Sequence, residues 1–350
     1  MSRNDWTRRG FLASLLAPAA MATAHKAIAQ AGDAVPLEPS RHHVSPNHAK
    51  MATEGAKRYT REQIEAAMAM PVSSLKGLQP DRFLTEFDRG RVSTLPDGRT
   101  LREYDVVAED REIEVAPGIF FPAWTYNGTV PGPTLRCTAG DRVRIRFRNR
   151  SISEHTMHFH GIHSADMDGV AEVVKPGDEY IYEFDARPWG LQLYHCHVPP
   201  VGLHMNRGLY GAFIIDPPTP RPKARELVIV ASGWDLDFDE RNELYVLNGG
   251  ANFYRDNPIE IKKGERVRLY YVNALEFDPV NSLHLHATFF RDLRRTPKGE
   301  SEEYTDIVLL SQADRRILEF EYEYEGMFMF HAHQNRYAEL GGMGHFRVRG

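Results

Sequence analysis

The chain of 350 residues has only two cysteines, Cys137 and Cys196, and few long apolar runs. Two cysteines exclude a fold stapled by several disulfides. Outside the N-terminus no apolar run is long enough to span a bilayer. The formal charge of −5 is small, which argues against nucleic-acid binding and against a polybasic membrane surface. With 42% hydrophobic residues, the chain can build two ordinary domains.

Histidine, in contrast, is plentiful and regularly spaced. Ten of the 16 histidines fall in four short runs or at His204. Each run contains His-x-His, and on a strand this spacing puts both imidazoles on one face. One exposed pair is commonly plain surface, but four pairs flanked by apolar residues indicate a metal centre. The pairs are His158 and His160, His195 and His197, His284 and His286, and His331 and His333. The histidines interpreted as non-ligands are His25, His42, His43, His48, His163 and His345.

One histidine pair encloses a cysteine, in His195-Cys196-His197. Imidazole binds copper well, and a thiolate adds a soft, electron-rich ligand. On a strand, Cys196 points away from its two neighbours, so the thiolate can serve one metal centre and the histidines a second. This pattern predicts linked copper sites suited to electron transfer. Cys137 is predicted to be a small buried residue that forms no disulfide with Cys196.

The N-terminus has the features of an export signal. Arg8-Arg9 resembles the twin-arginine signature, and an apolar stretch at 11–24 and small residues at 27–29 follow. We predict a signal peptide over residues 1–31 and twin-arginine export, with the protein periplasmic or otherwise exported. Residues 32–97 are predicted to form a polar, irregular extension with one short helix at 61–70. Its early histidines are expected in a solvated linker.

From about residue 98 the chain repeats itself at a spacing of roughly 120 to 136 residues. Gly140-Asp-Arg-Val-Arg-Ile145, for example, is echoed by Gly264-Glu-Arg-Val-Arg-Leu269. Arginines and apolar residues alternate over 142–148, which is typical of a half-buried strand. Short strands with Gly and Pro turns predict two β-sandwich domains, 98–217 and 223–350, joined by a proline-rich linker.

At these motifs the chain resembles the multicopper oxidases, which include the laccases. The family pattern His-x-x-His-x-His-Gly is matched from His155 to Gly161. The pattern His-Cys-His, followed by a histidine and Gly-Leu, is matched from His195 to Leu209. The resemblance spans roughly the last 250 residues. It implies an all-β chain with two tandem cupredoxin-like Greek-key β-sandwiches.

The resemblance assigns His155, Cys196 and His204 to a mononuclear type 1 copper. Leu209 falls at the axial position and cannot ligate, so a three-coordinate site of raised potential is expected. Met205 is the alternative axial ligand. The four histidine pairs would hold a trinuclear cluster of type 2 and type 3 copper, which makes four coppers for each subunit equivalent.

The second repeat lacks the type 1 ligands. Where the first repeat has His155 and Cys196, the second has Asn281 and Ala332, and the third ligand falls near Tyr337. The second domain therefore keeps only its share of the trinuclear site.

The resemblance also implies a reaction and an assembly. Electrons from a phenol, an aromatic amine or a metal ion would pass through Cys196 to the cluster, where dioxygen is reduced to water. His158 and His284 would take the type 2 copper. Asp168, in Met-Asp-Gly-Val, matches a family acid that relays protons, although Asp-Gly is also a common turn. Related two-domain enzymes form ring-like homotrimers whose clusters lie between subunits.

Two other functions compete with this interpretation. A copper-containing nitrite reductase shares the two-domain trimeric plan and the type 1 copper, but it has a single copper at the interface. The additional histidines His160, His197, His286 and His333 therefore favour the oxidase. An exported copper-binding or electron-carrier protein would need only the type 1 site.

Overall fold

The computed structural model describes residues 58–296 and 299–350. The predicted signal peptide and the histidines His42, His43 and His48 lie outside these residues. The strands of the first half are β1 Arg91–Thr94, β2 Thr100–Ala116, β3 Ile119–Tyr126, β4 Leu135–Thr138, β5 Arg142–Asn149, β6 His158–Phe159, β7 Glu179–Asp185, β8 Gly190–His195 and β9 Tyr210–Asp216. The strands of the second half are β10 Arg225–Trp234, β11 Leu244–Leu247, β12 Ile259–Lys262, β13 Val267–Asn273, β14 Val280–Leu285, β15 Phe290–Thr296, β16 Gly299–Thr305, β17 Ile307–Ser311, β18 Arg315–Phe320, β19 Gly326–His331 and β20 Met343–Arg349. The helices are α1 Arg61–Ala69, α2 Pro80–Phe83, α3 Val201–Asn206, α4 Phe253–Asp256 and α5 Asn335–Glu339, and a 3-10 turn spans Ala165–Met167.

The first nine strands form two sheets. One has the order β1-β2-β5-β7 with β3 also on β2, and the other has the order β4-β9-β8-β6. Along β5, Val143, Ile145 and Phe147 are buried while the intervening arginines face outward. Two of these, Arg144 and Arg146, pair with glutamates of β7. The alternation predicted for this strand is confirmed.

The last eleven strands repeat the same plan. Their sheets have the orders β11-β10-β13-β18-β15-β16 and β12-β20-β19-β14-β17. The parallel pairs β2 with β5 and β4 with β9 are matched by β10 with β13 and β12 with β20. The predicted all-β fold of two tandem β-sandwiches is therefore confirmed. One apolar core includes residues from both halves, so the boundaries at 217 and 223 stay predictions.

The short helix predicted at 61–70 is present as α1, but the described part of the N-terminal extension is less irregular and less polar than predicted. Helix α1 begins after a capping box at Thr60, and Ile64, Leu75 and Leu78 are buried in the shared core. Arg255, on α4, donates hydrogen bonds to two backbone carbonyls at the end of α1. A few apolar residues in a short segment give little periodic signal, yet they suffice to cover apolar surface on the two sandwiches. Among the described residues, no helix has the length and apolar character needed to cross a membrane.

Candidate metal centres

Three potential ligands converge inside the first sandwich. His155 precedes β6, Cys196 directly follows β8, and His204 lies on α3. The Cys196 Sγ atom is 3.2 Å from His204 Nδ1 and 3.9 Å from His155 Nδ1. The two nitrogens are 3.3 Å apart, and all three residues are 0% exposed. A buried set of two imidazoles and one thiol suits copper, so the residues present fit the predicted type 1 ion.

Burial controls the state of the cysteine. It raises the pKa of the Cys196 thiol to about 11, although backbone N–H groups, including that of Thr156, oppose the shift. At neutral pH the group is therefore a thiol until a cation binds, and metal binding releases its proton. Cys137 lies buried in β4, and both cysteines are free. The absence of a disulfide between them agrees with the prediction.

The outer nitrogen of His155 has its own support. His155 Nε2 lies 2.9 Å from Ser151 Oγ, and this hydroxyl in turn donates to Asp110 Oδ1 at 3.1 Å. Because the Ser151 hydrogen is used on the carboxylate, the imidazole Nε2–H is the donor to Ser151. This arrangement leaves His155 Nδ1 unprotonated and directed toward the thiol, as a metal ligand requires.

The backbone of Leu209 lies beside two of these ligands, Cys196 and His204. Leu209 is fully buried in the same apolar cluster as Cys196, and its carbonyl accepts the Cys196 backbone N–H at 3.0 Å. Met205 belongs instead to the large core cluster shared by the two halves. The placement of both side chains supports an apolar residue at the axial position, which stays a prediction.

Two further residues, Trp124 and Arg207, lie at this centre and were not predicted from the sequence. The Trp124 ring lies 4.9 Å from the His155 ring and 4.6 Å from the His204 ring, centroid to centroid. The Arg207 guanidinium lies 4.1 Å above Trp124. The only sequence signal was the position of Arg207 between His204 and Leu209 in the chain.

Four histidines form a second cluster in the first sandwich. His158 on β6 pairs in register with His195 at the end of β8. The His158 ring lies 5.1 to 5.2 Å from the rings of His160, His195 and His197. His160 Nε2 and His195 Nε2 are 3.2 Å apart. Burial lowers the pKa of His160 to about 3 and that of His195 to about 4, so both are neutral at pH 7, the form that binds metals.

The second sandwich carries an equivalent cluster. His284 on β14 pairs in register with His331 on β19. The His284 ring is 4.9 Å from that of His286 and 5.4 Å from that of His333. His286 Nε2 and His331 Nε2 are 3.0 Å apart. Burial and the neighbouring imidazoles lower the pKa values of His286 and His331.

Backbone carbonyls orient half of these imidazoles in the same way. A carbonyl oxygen can only accept, so the contacting Nδ1 carries the proton and Nε2 is left for a metal. The four contacts, at 2.7 to 2.8 Å, run from His158 to Asp168, from His195 to Cys196, from His284 to Asp306 and from His331 to Ala332. The duplicated chain thus builds two matching sets of imidazoles whose Nε2 atoms are available to a metal.

Each cluster stands alone within the chain. Over residues 58–296 and 299–350, no hydrogen bond or ring contact joins a histidine of the first cluster to one of the second. His163 and His345, which were interpreted as non-ligands, bond to the backbone carbonyls of Phe159 and Arg255. The structure therefore assembles two half-sites of four imidazoles and does not join them.

An acidic residue accompanies each half-site. Asp168 Oδ1 lies 3.3 Å from His158 Nδ1, and its role as a proton relay stays a prediction. Asp306 Oδ2 lies 3.8 Å from His284 Nδ1, a contact that the sequence did not predict. The acid follows its histidine by 10 residues in the first half and by 22 in the second, because the β15–β16 hairpin intervenes. Because the two spacings differ, the sequence does not show that Asp168 and Asp306 are equivalent.

The second sandwich has a filled interior where the first has the type 1 ligands. Asn281, Ala332 and Tyr337 border a cavity of only about 10 Å³. Tyr337 stacks on Tyr245 with the ring centroids 4.0 Å apart. Nothing in this lining is a thiol or an imidazole, which agrees with the loss of the site seen in the repeat.

The chain is similar to known copper proteins along most of its length. Two family profiles, each described as "Multicopper oxidase", match residues 109–220 and 226–350. A solved structure described as "Crystal structure of multicopper oxidase" is 48% identical, with a TM-score of 0.76, and the match covers 78% of this chain and 98% of that one.

Nitrite reductases are also similar. The copper nitrite reductase structure from Nitrosomonas europaea is 30% identical with a TM-score of 0.65, and the match covers 71% of this chain and 94% of that one. The copper-containing nitrite reductase of Neisseria meningitidis serogroup A is 27% identical over 262 residues, which are 69% of this chain and 68% of that protein.

Proposed function

Because the chain belongs to the multicopper oxidase family, we propose that it is a laccase-like enzyme that oxidises a donor one electron at a time and reduces dioxygen to water. The observation that carries this proposal is the pair of matching four-imidazole half-sites. A single copper at the interface needs fewer imidazole ligands than the two half-sites provide. The additional ligands are His160, His197, His286 and His333. Bound copper, four ions for each subunit equivalent, would supply the electron storage and the oxygen chemistry.

The chain's own residues would connect and serve these centres. His155, Cys196 and His204 would hold the type 1 ion, and the eight paired histidines the type 2 and type 3 ions. At the end of β8, His195, Cys196 and His197 are consecutive, so only a few covalent bonds separate the thiol from two imidazoles of the cluster. Asp168 would hold a proton at Oδ1 beside His158 and deliver it toward the cluster.

The two half-sites would meet between subunits of a homotrimer. Large apolar side chains are exposed near the second half-site: Leu309 is 68% exposed, Met327 47% and Ile307 38%. Ile307 is the register partner of His284. A head-to-tail contact that covers this surface with the first sandwich of the next subunit closes into a ring.

Mixed oligomers test the shared cluster. His160→Ala damages the first half-site and His333→Ala the second, so each variant alone is expected to lose oxygen reduction. Co-assembled subunits should recover part of the activity, because some interfaces combine two intact half-sites. A mixture of His158→Ala and His160→Ala, both in the first half-site, is the control and should stay inactive. Absence of rescue, with a sedimentation mass of one subunit in active protein, would refute the trimer.

A paired assay separates the oxidase from the second candidate, a copper-containing nitrite reductase, which the similarity to such enzymes supports. Copper-loaded protein with a phenolic or aromatic-amine donor should consume oxygen without releasing peroxide, and His197→Ala should abolish this. Nitrite consumption without oxygen uptake would identify the reductase. Failure to turn over either acceptor would leave the copper-binding or electron-carrier function.

The N-terminal sequence adds a location to this proposal. Export by the twin-arginine route would place the enzyme in the periplasm, where a phenol, an aromatic amine or a metal ion could act as donor. Replacing Arg8 and Arg9 with lysine should retain the protein in the cytoplasmic fraction. Unchanged fractionation of that variant would contradict the route.

A further inference from the structure

We propose that Arg207 is a tuning residue whose buried positive charge raises the reduction potential of the copper held by His155, Cys196 and His204. This inference rests on the proposed type 1 site. It concerns which donors the site accepts: a raised potential suits weak reductants such as phenols.

The Arg207 guanidinium lies near the proposed type 1 ligands, and the Trp124 ring lies between the guanidinium and the two imidazoles. Arg207 ends α3, three residues after His204, and its guanidinium lies 4.1 Å above the Trp124 ring. Trp124 in turn contacts both imidazoles, at 4.9 and 4.6 Å. The backbone ties the parts together, because Trp124 N donates to Arg207 O at 2.8 Å.

The surroundings keep this charge in a poorly screened environment. Arg207 is 4% exposed and Trp124 is 1% exposed. The guanidinium donates to Pro122 O at 2.6 and 3.1 Å and lies 5.2 Å from the Phe238 ring. Burial lowers the pKa of Arg207 to about 10, so the group stays charged at neutral pH. A charge inside the protein acts much more strongly than a charge in water.

The sign of the effect follows from the charge of the metal. Reduction from Cu(II) to Cu(I) removes one positive charge from the site, so a fixed cation nearby favours the reduced state. Leu209 acts in the same direction, because it offers no axial sulfur. Asp110 acts oppositely: its exposed carboxylate reaches His155 through Ser151, and it also attracts the Arg207 guanidinium and offsets part of its charge.

The test is a redox titration of the copper-loaded, full-length protein, followed by the blue absorption of the type 1 site. Arg207→Met should lower the equilibrium constant for copper reduction by about tenfold, which is about 59 mV for one electron. Arg207→Lys keeps the charge and should restore most of the loss. Asp110→Asn should shift the potential the other way, by less. Arg146→Gln, an exposed arginine on β5, is the matched charge control and should change nothing.

The outcomes separate this inference from the proposed function. Wild-type protein that binds copper without blue absorption would refute the type 1 site itself. Intact blue absorption with an unchanged potential in the Arg207→Met variant would overturn the tuning role alone. If Arg207→Met does not fold, Arg207→Gln takes its place, because it removes the charge but keeps a long polar side chain. An unshifted potential in folded Arg207→Gln would overturn the tuning role.

Discussion

Leu209 is buried in the same apolar cluster as Cys196, and we predict that its side chain lies at the axial position of the proposed type 1 site. A methionine there would add a weak axial sulfur, which stabilises Cu(II) and lowers the potential. Leu209→Met should therefore shift the type 1 midpoint downward while the blue absorption persists. Met205→Leu is the matched control, because Met205 packs in the other cluster and should leave the potential unchanged. A potential that rises in Met205→Leu would show instead that Met205 is the axial ligand.

The half-site histidines make the copper-free protein sensitive to acid. His195 has a pKa of about 4 in the folded state, below the value of about 6.5 expected when unfolded. The unfolded state therefore binds more protons as the pH falls below about 6.5, and stability is lost down to about pH 4. Lowering the pH from 7 to 4.5 should therefore reduce the free energy of unfolding by about 3 kcal/mol through this imidazole.

Urea unfolding of copper-free protein at the two pH values measures this loss. His195→Gln removes the group and should flatten the pH dependence relative to wild type. An identical slope in wild type and variant would contradict the role of His195.

Among the connecting elements, the turn after the 3-10 helix positions Asp168 beside His158 of the first half-site. Gly169 has φ of +70°, and a Cβ there would lie 1.9 Å from the Met157 carbonyl oxygen. Gly169→Ala should therefore displace Asp168 from His158 and reduce oxygen turnover at least tenfold. Gly177 has φ of +90° with open space around it, so Gly177→Ala imposes similar backbone strain, about 1 kcal/mol, without the clash. Equal activity of the two alanine variants would refute the positional role of the turn.

The sequence predicted those elements whose signal is local. Period-two burial on β5 and the His-x-His spacing at the ends of β6, β8, β14 and β19 follow from residues close together in the chain. Trp124 and Asp306 could not be found this way, because they are distant in the chain from the ligands they contact. Arg207 is three residues from His204, but its link to the centre runs through the Trp124 ring. Asp306 was further hidden by the β15–β16 hairpin, which changes the spacing to His284.

At the scale of the whole molecule, the N-terminal extension helps to bind the two sandwiches into one core. Leu75 is 4% exposed and packs closely on Gly250. A Cβ atom added at Gly250 would lie 2.6 Å from the Cδ1 atom of Leu75. Leu75→Ala should lower the free energy of unfolding by about 2 to 5 kcal/mol, because it leaves a cavity in the core. Calorimetry of the copper-free protein should show a single transition moved to lower temperature. Two separate transitions, with only one shifted, would show that the sandwiches unfold independently.

The complete burial of His155, Cys196 and His204 has a consequence for maturation. An ion can reach or leave a fully enclosed site only when the surrounding structure opens, and α3, which carries His204, is a single short helix. The exchange rate of the metal is then set by local unfolding and not by its affinity. A chelator should strip such an ion slowly, at a rate that saturates with chelator concentration, and destabilising α3 should speed both loading and loss.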